Sequence, residues 1–173
     1  MEPAVTSQGK PGQGKGQGKG RSERADAREL ALLALCHLES YPAAEWPEAA
    51  AIFWDHPPAA EAEGEGPPVR RWVASSQIRA FAERLVGAAI AGHAELDAAI
   101  EATSRSWRMA RMDRVDRNIL RLVAAELQAV AETPRGVILA EAVRLASRYG
   151  SERSASFVNG LAEGLARRLR PVA

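Results

Sequence analysis

The sequence predicts an all-α domain. Three observations carry this. Ala supplies 35 of the 173 residues, and Ala is the strongest helix former. Apolar residues reach 46% of the chain but aromatics only 5%, so the apolar content lies in small side chains rather than in the β-branched and aromatic residues that favour strands. After residue 24, apolar positions recur at intervals of three and four, the period of a helix with a buried face.

The elements follow in order. Residues 9–20 read GKPGQGKGQGKG and hold six of the 14 glycines. Ordering such a stretch costs backbone entropy with no apolar burial in return. Residues 1–21 are therefore expected to be a disordered basic arm, ahead of a domain over 22–173. The first helix runs over about 24–40, capped by Ser22 or by Asp26 with Glu29 at its third position. Leu30, Leu32, Leu33, Leu35 and Leu38 lie all round it, which implies burial on several sides, and Pro42 stops it. A short helix at 47–54 starts on Pro47. Residues 55–68, with Pro57-Pro58, Pro67-Pro68, Glu61, Glu63 and Glu65, read as an acidic loop.

From 70 to 92, Ile78, Phe81, Leu85, Ala88 and Gly92 form one stripe of an amphipathic helix, and Gly87 and Ala88 offer room for a close neighbour. Leu96 and Ile100 continue a helical segment to about 104. Asp113 and Asp116 have capping-box spacing and open a helix to about 130, with Val115, Ile119, Leu122 and Val123 inward. Thr133-Pro134 breaks it. The next helix, 135–149, turns Ile138, Ala142, Leu145 and Tyr149 to one face and ends at Gly150, read as a left-handed terminal glycine. The last, 153–169, carries Phe157, Leu161, Leu165 and Leu169 before Pro171.

Charge is segregated. The formal net value is +1, yet residues 39–66 hold seven acids and no Lys or Arg, while residues 103–173 hold 13 Arg against seven acids. All three lysines, Lys10, Lys15 and Lys19, lie in the arm. A single cysteine, Cys36, excludes an internal disulfide and a Cys-rich zinc site. No secretory leader, lipidation box or membrane-length apolar run is present in the sequence, so a cytoplasmic protein without membrane contact is expected.

Catalytic chemistry finds little to use. Gly9, Gly14 and Lys15 fit part of a phosphate-binding loop, but Gly16 replaces the Ser or Thr that would hold a metal, and no strand precedes it. His37, His56 and His93 lack partners at metal-helix spacing, and His37 reads as a core or half-buried side chain. Cys36 reads as a buried small hydrophobe. No catalytic residue, cofactor, metal or small-molecule substrate is expected.

The arginines are more informative, because a guanidinium pairs with phosphate through a planar fork and stacks on bases. Arg21, Arg24 and Arg28 lie where the arm meets the first helix. Arg105, Arg108, Arg111, Arg114, Arg117 and Arg121 follow at near-helical spacing, part of them a salt-bridged face in which Asp113 can reach Arg117. Arg144, Arg148, Arg153, Arg167, Arg168 and Arg170 decorate the last two helices. Tyr149 and Phe157 flank a basic turn at 150–156, where an aromatic ring can stack an unpaired base or simply join the core.

Three blocks resemble the NusB family. The first is Arg24-Ala25-Asp26-Ala27-Arg28-Glu29-Leu30 with Leu35. The second is Trp107, Arg111-Met112 and Val115-Asp116-Arg117-Asn118-Ile119-Leu120-Arg121-Leu122 with Glu126-Leu127. The third is Pro134, Val137, Glu141-Ala142-Val143, Leu145-Ala146, Tyr149-Gly150 and Phe157-Val158-Asn159-Gly160. They stand in family order and spacing over about 22–170. The resemblance implies about seven helices in two packed helical subdomains. It implies a non-enzymatic antitermination factor that binds single-stranded boxA RNA of nascent ribosomal transcripts together with NusE, a small-subunit ribosomal protein, within an RNA polymerase antitermination complex. It carries RNA contact onto Arg24 and Arg28, with Arg21, Lys15 and Lys19 as the arm's extension, and onto Arg153 and Phe157 at the turn. It sets Asp116 against an arginine of NusE.

Departures are Cys36 where the family often has Tyr, Ala125 where Tyr or Phe usually precedes Glu126, and Ala140 in place of Asn. Two other readings remain open at this level. One is a module related to the NusB-like domain of ribosomal RNA cytosine methyltransferases, although the sequence has no cofactor-binding βαβ pattern. The other is a helical scaffold that binds only proteins.

Overall fold

The computed structural model describes residues 17–59 and 66–172. Residues 1–16, with Lys15 and the partial phosphate-loop pattern, and Glu61, Glu63 and Glu65 lie outside the described residues. Among the described residues there are eight α-helices: α1 Gln17–Leu38, α2 Trp46–Asp55, α3 Val69–Ala74, α4 Ser76–Ala91, α5 His93–Thr103, α6 Arg114–Ala129, α7 Arg135–Tyr149 and α8 Ser154–Leu169. Short 3-10 turns occupy Ala43–Glu45 and Met109–Arg111.

α1 begins seven residues earlier than its composition suggests. Gly18 and Gly20 cost a helix about 1 kcal/mol each against Ala without ending it, and Ser22 and Asp26 become interior positions rather than caps. The leucines around α1 are explained by its neighbours: it packs on α4 and α6, and also on α2, α3 and α7. Ala27, Leu30, Ala31, Leu32, Ala34, Leu35 and Leu38 are all buried.

The segment expected as one helix over 70–92 is two. Ser75 adopts extended backbone, with φ −82° and ψ 117°, and its Ser-Ser sequence favours local side-chain hydrogen bonding over a continued helix. Ile78, Phe81 and Leu85 are buried as expected. Gly87 is exposed with open space around it, so the close helix contact is made by Ala82 and Ala89 instead.

Between α5 and α6 the chain leaves the helical path and anchors through Met109 and Met112, both buried. Arg105, Arg108 and Arg111 therefore sit on a loop rather than on one helical line. α6 is central, buried at every position from Asn118 to Leu127. Asp113 is its N-cap by position but makes no side-chain cap bond, and Asp116 is buried in its first turn.

α6, α7 and α8 pack on one another and hold α5 against α6 and α8, while α1 to α4 form a second group that meets the first chiefly where α6 contacts α1 and α4. Gly150 is not left-handed: its φ is −89° and ψ −173°. It is required for space, since a Cβ there would meet the Ser154 Cβ at 2.4 Å and the Ala146 carbonyl at 2.7 Å. The buried face of α8 is Val158, Ala162, Leu165 and Ala166, which leaves Phe157, Leu161 and Leu169 partly buried at its edge.

Candidate nucleic-acid interface

The structure sorts the arginines by what already holds them. Arg28 is 4% exposed, and its Nε and terminal nitrogen donate to the two carboxylate oxygens of Glu126 at 2.9 and 2.7 Å. Placed with Arg24 on the RNA-facing cluster by the sequence, it instead joins α1 to α6, because a buried guanidinium needs a carboxylate in the same dry environment. Arg24 is exposed and lies over the Phe81 ring, 3.8 Å from its centroid, so its guanidinium is positioned while its edge stays open to solvent. Lys19 and Arg21 fall on the first turns of α1.

A second tie connects α1 to α7. Glu29 is 2% exposed and accepts from the Tyr149 hydroxyl, from Arg144 at 3.0 Å and lies 3.0 Å from the Arg148 Nε. Burial, and then the adjacent Glu29 carboxylate, push the Tyr149 hydroxyl well above its ordinary value. Arg144 also donates to the Ala25 carbonyl and to Glu141. Tyr149 is thus a tether, and the basic turn that follows it is held against α1.

A third tie absorbs the α6 arginines. Arg117 forks onto Glu39 at 2.6 and 2.8 Å, Arg121 forks onto Asp97 at 2.7 and 2.8 Å and also reaches Glu39, and Arg114 lies 3.4 Å from Glu39. The Asp113–Arg117 pair considered from sequence is replaced by these long-range pairs. Burial raises the Glu39 carboxyl, but its bonds to Arg117 and Arg121 outweigh that and hold it below the ordinary carboxylate range.

Two arginines without a carboxylate partner among the described residues, Arg111 and Arg153, line a groove of about 230 Å3 together with Trp107, Phe157, Asp113 and Asp116. Arg111 and Arg153 are exposed and have no carboxylate within ion-pair distance among the described residues. Phe157 meets Trp107 edge to face, with centroids 6.2 Å apart. Asp116 is 5% exposed, and its Oδ1 has no hydrogen-bond partner among the described residues. Burial raises its carboxyl above the ordinary value, with Asp113 adding to the rise and the Ser154 hydroxyl opposing it. Asp116, expected to face an arginine of NusE, is among the residues that line this groove. Arg153 and Phe157 line the same groove. Sequence reasoning missed Trp107 as a site residue: it is 50% exposed, and the signal was a lone Trp in an Arg-rich stretch that lacks helical apolar spacing.

A model of the NusB family matches residues 25–167. The chain belongs to the NusB family. It is 42% identical over 146 residues to the transcription antitermination protein NusB of Sorangium cellulosum, covering 84% of this chain and 93% of that one. It is 38% identical over 143 residues to the Myxococcus xanthus protein of the same name, covering 83% and 94%. Among solved structures, T. maritima NusB superposes with a TM-score of 0.65 at 24% identity, over 83% of this chain and 90% of that one. NusB in a complex of antitermination factors NusB and NusE with dsRNA gives 0.67 at 23% identity, over 85% and 98%. At these identities the structural likeness establishes the fold.

Arg24 stands on α1 one turn from Arg28, and Glu29, Arg144, Arg148 and Tyr149 lead from there to the 150–153 turn and the groove. Among the described residues, no group of His, Cys, Asp and Glu could hold a metal ion, and no helix is long and apolar enough to cross a membrane.

Proposed function

We propose that this protein is a transcription antitermination factor that binds the boxA element of nascent ribosomal RNA together with NusE and, with RNA polymerase, suppresses premature termination. The observation that carries this reading is the sorting of the arginines. Arg28, Arg117, Arg121 and Arg144 are consumed by internal carboxylates, yet Arg24, Arg111 and Arg153 stay exposed beside aromatic rings, the combination that suits a phosphate backbone with unpaired bases. The relatives' shared name and the solved NusB–NusE complex with dsRNA support it. The protein acts as an adaptor in the cytoplasm and catalyses no reaction. Lys15, Lys19 and Arg21, which precede Arg24 in the sequence, supply long-range attraction.

The test is filter binding or anisotropy with a single-stranded boxA-like RNA, with and without NusE, at two salt concentrations. RNA affinity is expected to rise when NusE is present. It is expected to fall as salt increases, because phosphate contacts release counterions. Affinity unchanged by NusE refutes the adaptor reading, and retention insensitive to salt points to a scaffold that binds only proteins.

A further inference from the structure

We propose that Trp107 is a stacking platform for one unpaired base of the bound RNA, a contact that rests on the RNA-binding reading and extends it to the loop between α5 and α6. The chain has four tryptophans. Trp46, Trp54 and Trp72 are 5, 7 and 5% exposed and belong to the core, whereas Trp107 is 50% exposed. A half-exposed indole contributes little to this fold, and a large aromatic surface left in water marks an interaction site.

The ring is also positioned. The Trp107 backbone N–H donates to the Ser104 Oγ at 3.0 Å, and Phe157 packs against the indole nearly perpendicular to it, at 78°. An edge-to-face partner braces a ring without covering its face in the parallel arrangement that a base would take. The neighbouring loop is anchored by buried Met109 and Met112 and by Glu101, which accepts from the Met109 backbone N–H at 2.9 Å. The platform is therefore preorganised, and little freedom is lost on binding.

Two arginines beside the rings suit a phosphate-bearing occupant. Arg111 and Arg153 flank the pair without carboxylate partners among the described residues, in contrast to Arg114, Arg117, Arg121 and Arg144. Asp113 and the buried Asp116 line the same groove, and the two guanidiniums without an ion-pair partner are the groups there that attract the phosphates on either side of a stacked base. Base–aromatic stacking tolerates any base, so Trp107 contributes affinity for unpaired RNA more than choice of sequence.

Intrinsic fluorescence sums all four tryptophans, so the Trp107 share is read as the difference between wild type and Trp107→Phe. A titration with single-stranded boxA-like RNA, with NusE present, is expected to quench the exposed-indole emission, and Trp107→Phe is expected to abolish that change. By anisotropy of labelled RNA, Trp107→Ala is expected to lower affinity by about tenfold, with Trp107→Phe close to wild type and the melting temperature unchanged in both. An RNA with one abasic position, scanned along the strand, should lose affinity on wild type and no further affinity on Trp107→Ala at the stacked position. If RNA binds but emission and Trp107→Ala affinity do not change, the stacking assignment is overturned while the antitermination reading stands. Quenching by NusE without RNA overturns it in favour of a protein occupant. If wild type binds no RNA, both readings fall.

Discussion

Arg28 on α1 and Glu126 on α6, 98 residues apart in sequence, close into a two-bond fork with both side chains buried. One turn before it, Arg24 carries the same side chain in the open, over Phe81. Two arginines spaced four apart on one helix thus do different work, and the difference is measurable. Arg28→Ala leaves a buried carboxylate unpaired and is expected to destabilise the fold by roughly 3–5 kcal/mol. Arg24→Ala is expected to leave the melting temperature within about 2 °C of wild type, the scale of a typical surface substitution, while lowering RNA affinity and flattening its salt dependence. Thermal melts beside RNA titrations on the two variants check this. Equal losses of stability in both would show that Arg24 is structural too.

The Glu39 cluster predicts acid sensitivity. Its carboxyl is held below its unfolded value, so its contribution to stability is present above the ordinary carboxylate pKa and is lost as pH falls through the lowered folded value. Wild type is expected to lose stability steeply below about pH 4. Glu39→Gln is expected to be less stable at pH 7 and to show a flatter acid limb. Urea unfolding at a series of pH values measures both, and parallel curves would remove Glu39 from the account.

Asp116 predicts the opposite sign. Burial raises its carboxyl in the folded state, so the group contributes fully only below its unfolded pKa, and its charge weighs against the fold as pH rises through the folded value. Asp116→Asn is expected to raise the melting temperature by a few degrees at pH 7, with the gain vanishing towards pH 3. A destabilised variant at neutral pH would show that the charge is needed by the fold.

Gly150 predicts a packing failure rather than a conformational one. Since its φ is negative, Ala fits the backbone, but the new Cβ would fall 2.4 Å from the Ser154 side chain. Gly150→Ala is expected to cost about 1–3 kcal/mol and to shift the 151–154 turn. Ser154→Gly in the same chain is expected to restore part of the loss. Calorimetry on the single and double variants decides it.

The fold was legible in the sequence because helix periodicity depends on neighbours a few residues away. Leu30 to Leu38, Ile119 to Val123 and Ile138 to Leu145 all turned inward as their spacing required. The site was legible only in part, because the fate of an arginine depends on residues far along the chain. Nothing near Arg28 reveals Glu126, nothing near Arg117 reveals Glu39, and nothing near Arg144 reveals Glu29. The break at Ser75 was hidden for the opposite reason: the apolar stripe continues on both sides of it, and only the backbone of one residue interrupts the helix. Trp107 was visible as a motif residue, but its ring partner, Phe157 of α8, lies fifty residues further along the chain.

Arg170 closes α6 from the far side. Its guanidinium donates to the carbonyls of Leu127 and Val130 and to that of Thr133, at 2.6 to 2.9 Å, where the last turn of a helix leaves acceptors unsatisfied. Those acceptors precede their donor by about forty residues. A chain leaving the ribosome therefore makes α6 before it makes the side chain that seals it. α6 is the helix that joins the two halves of the core, so the halves meet with its end still open. The end of α6 is thus completed by the last residues of the domain, just past the close of α8.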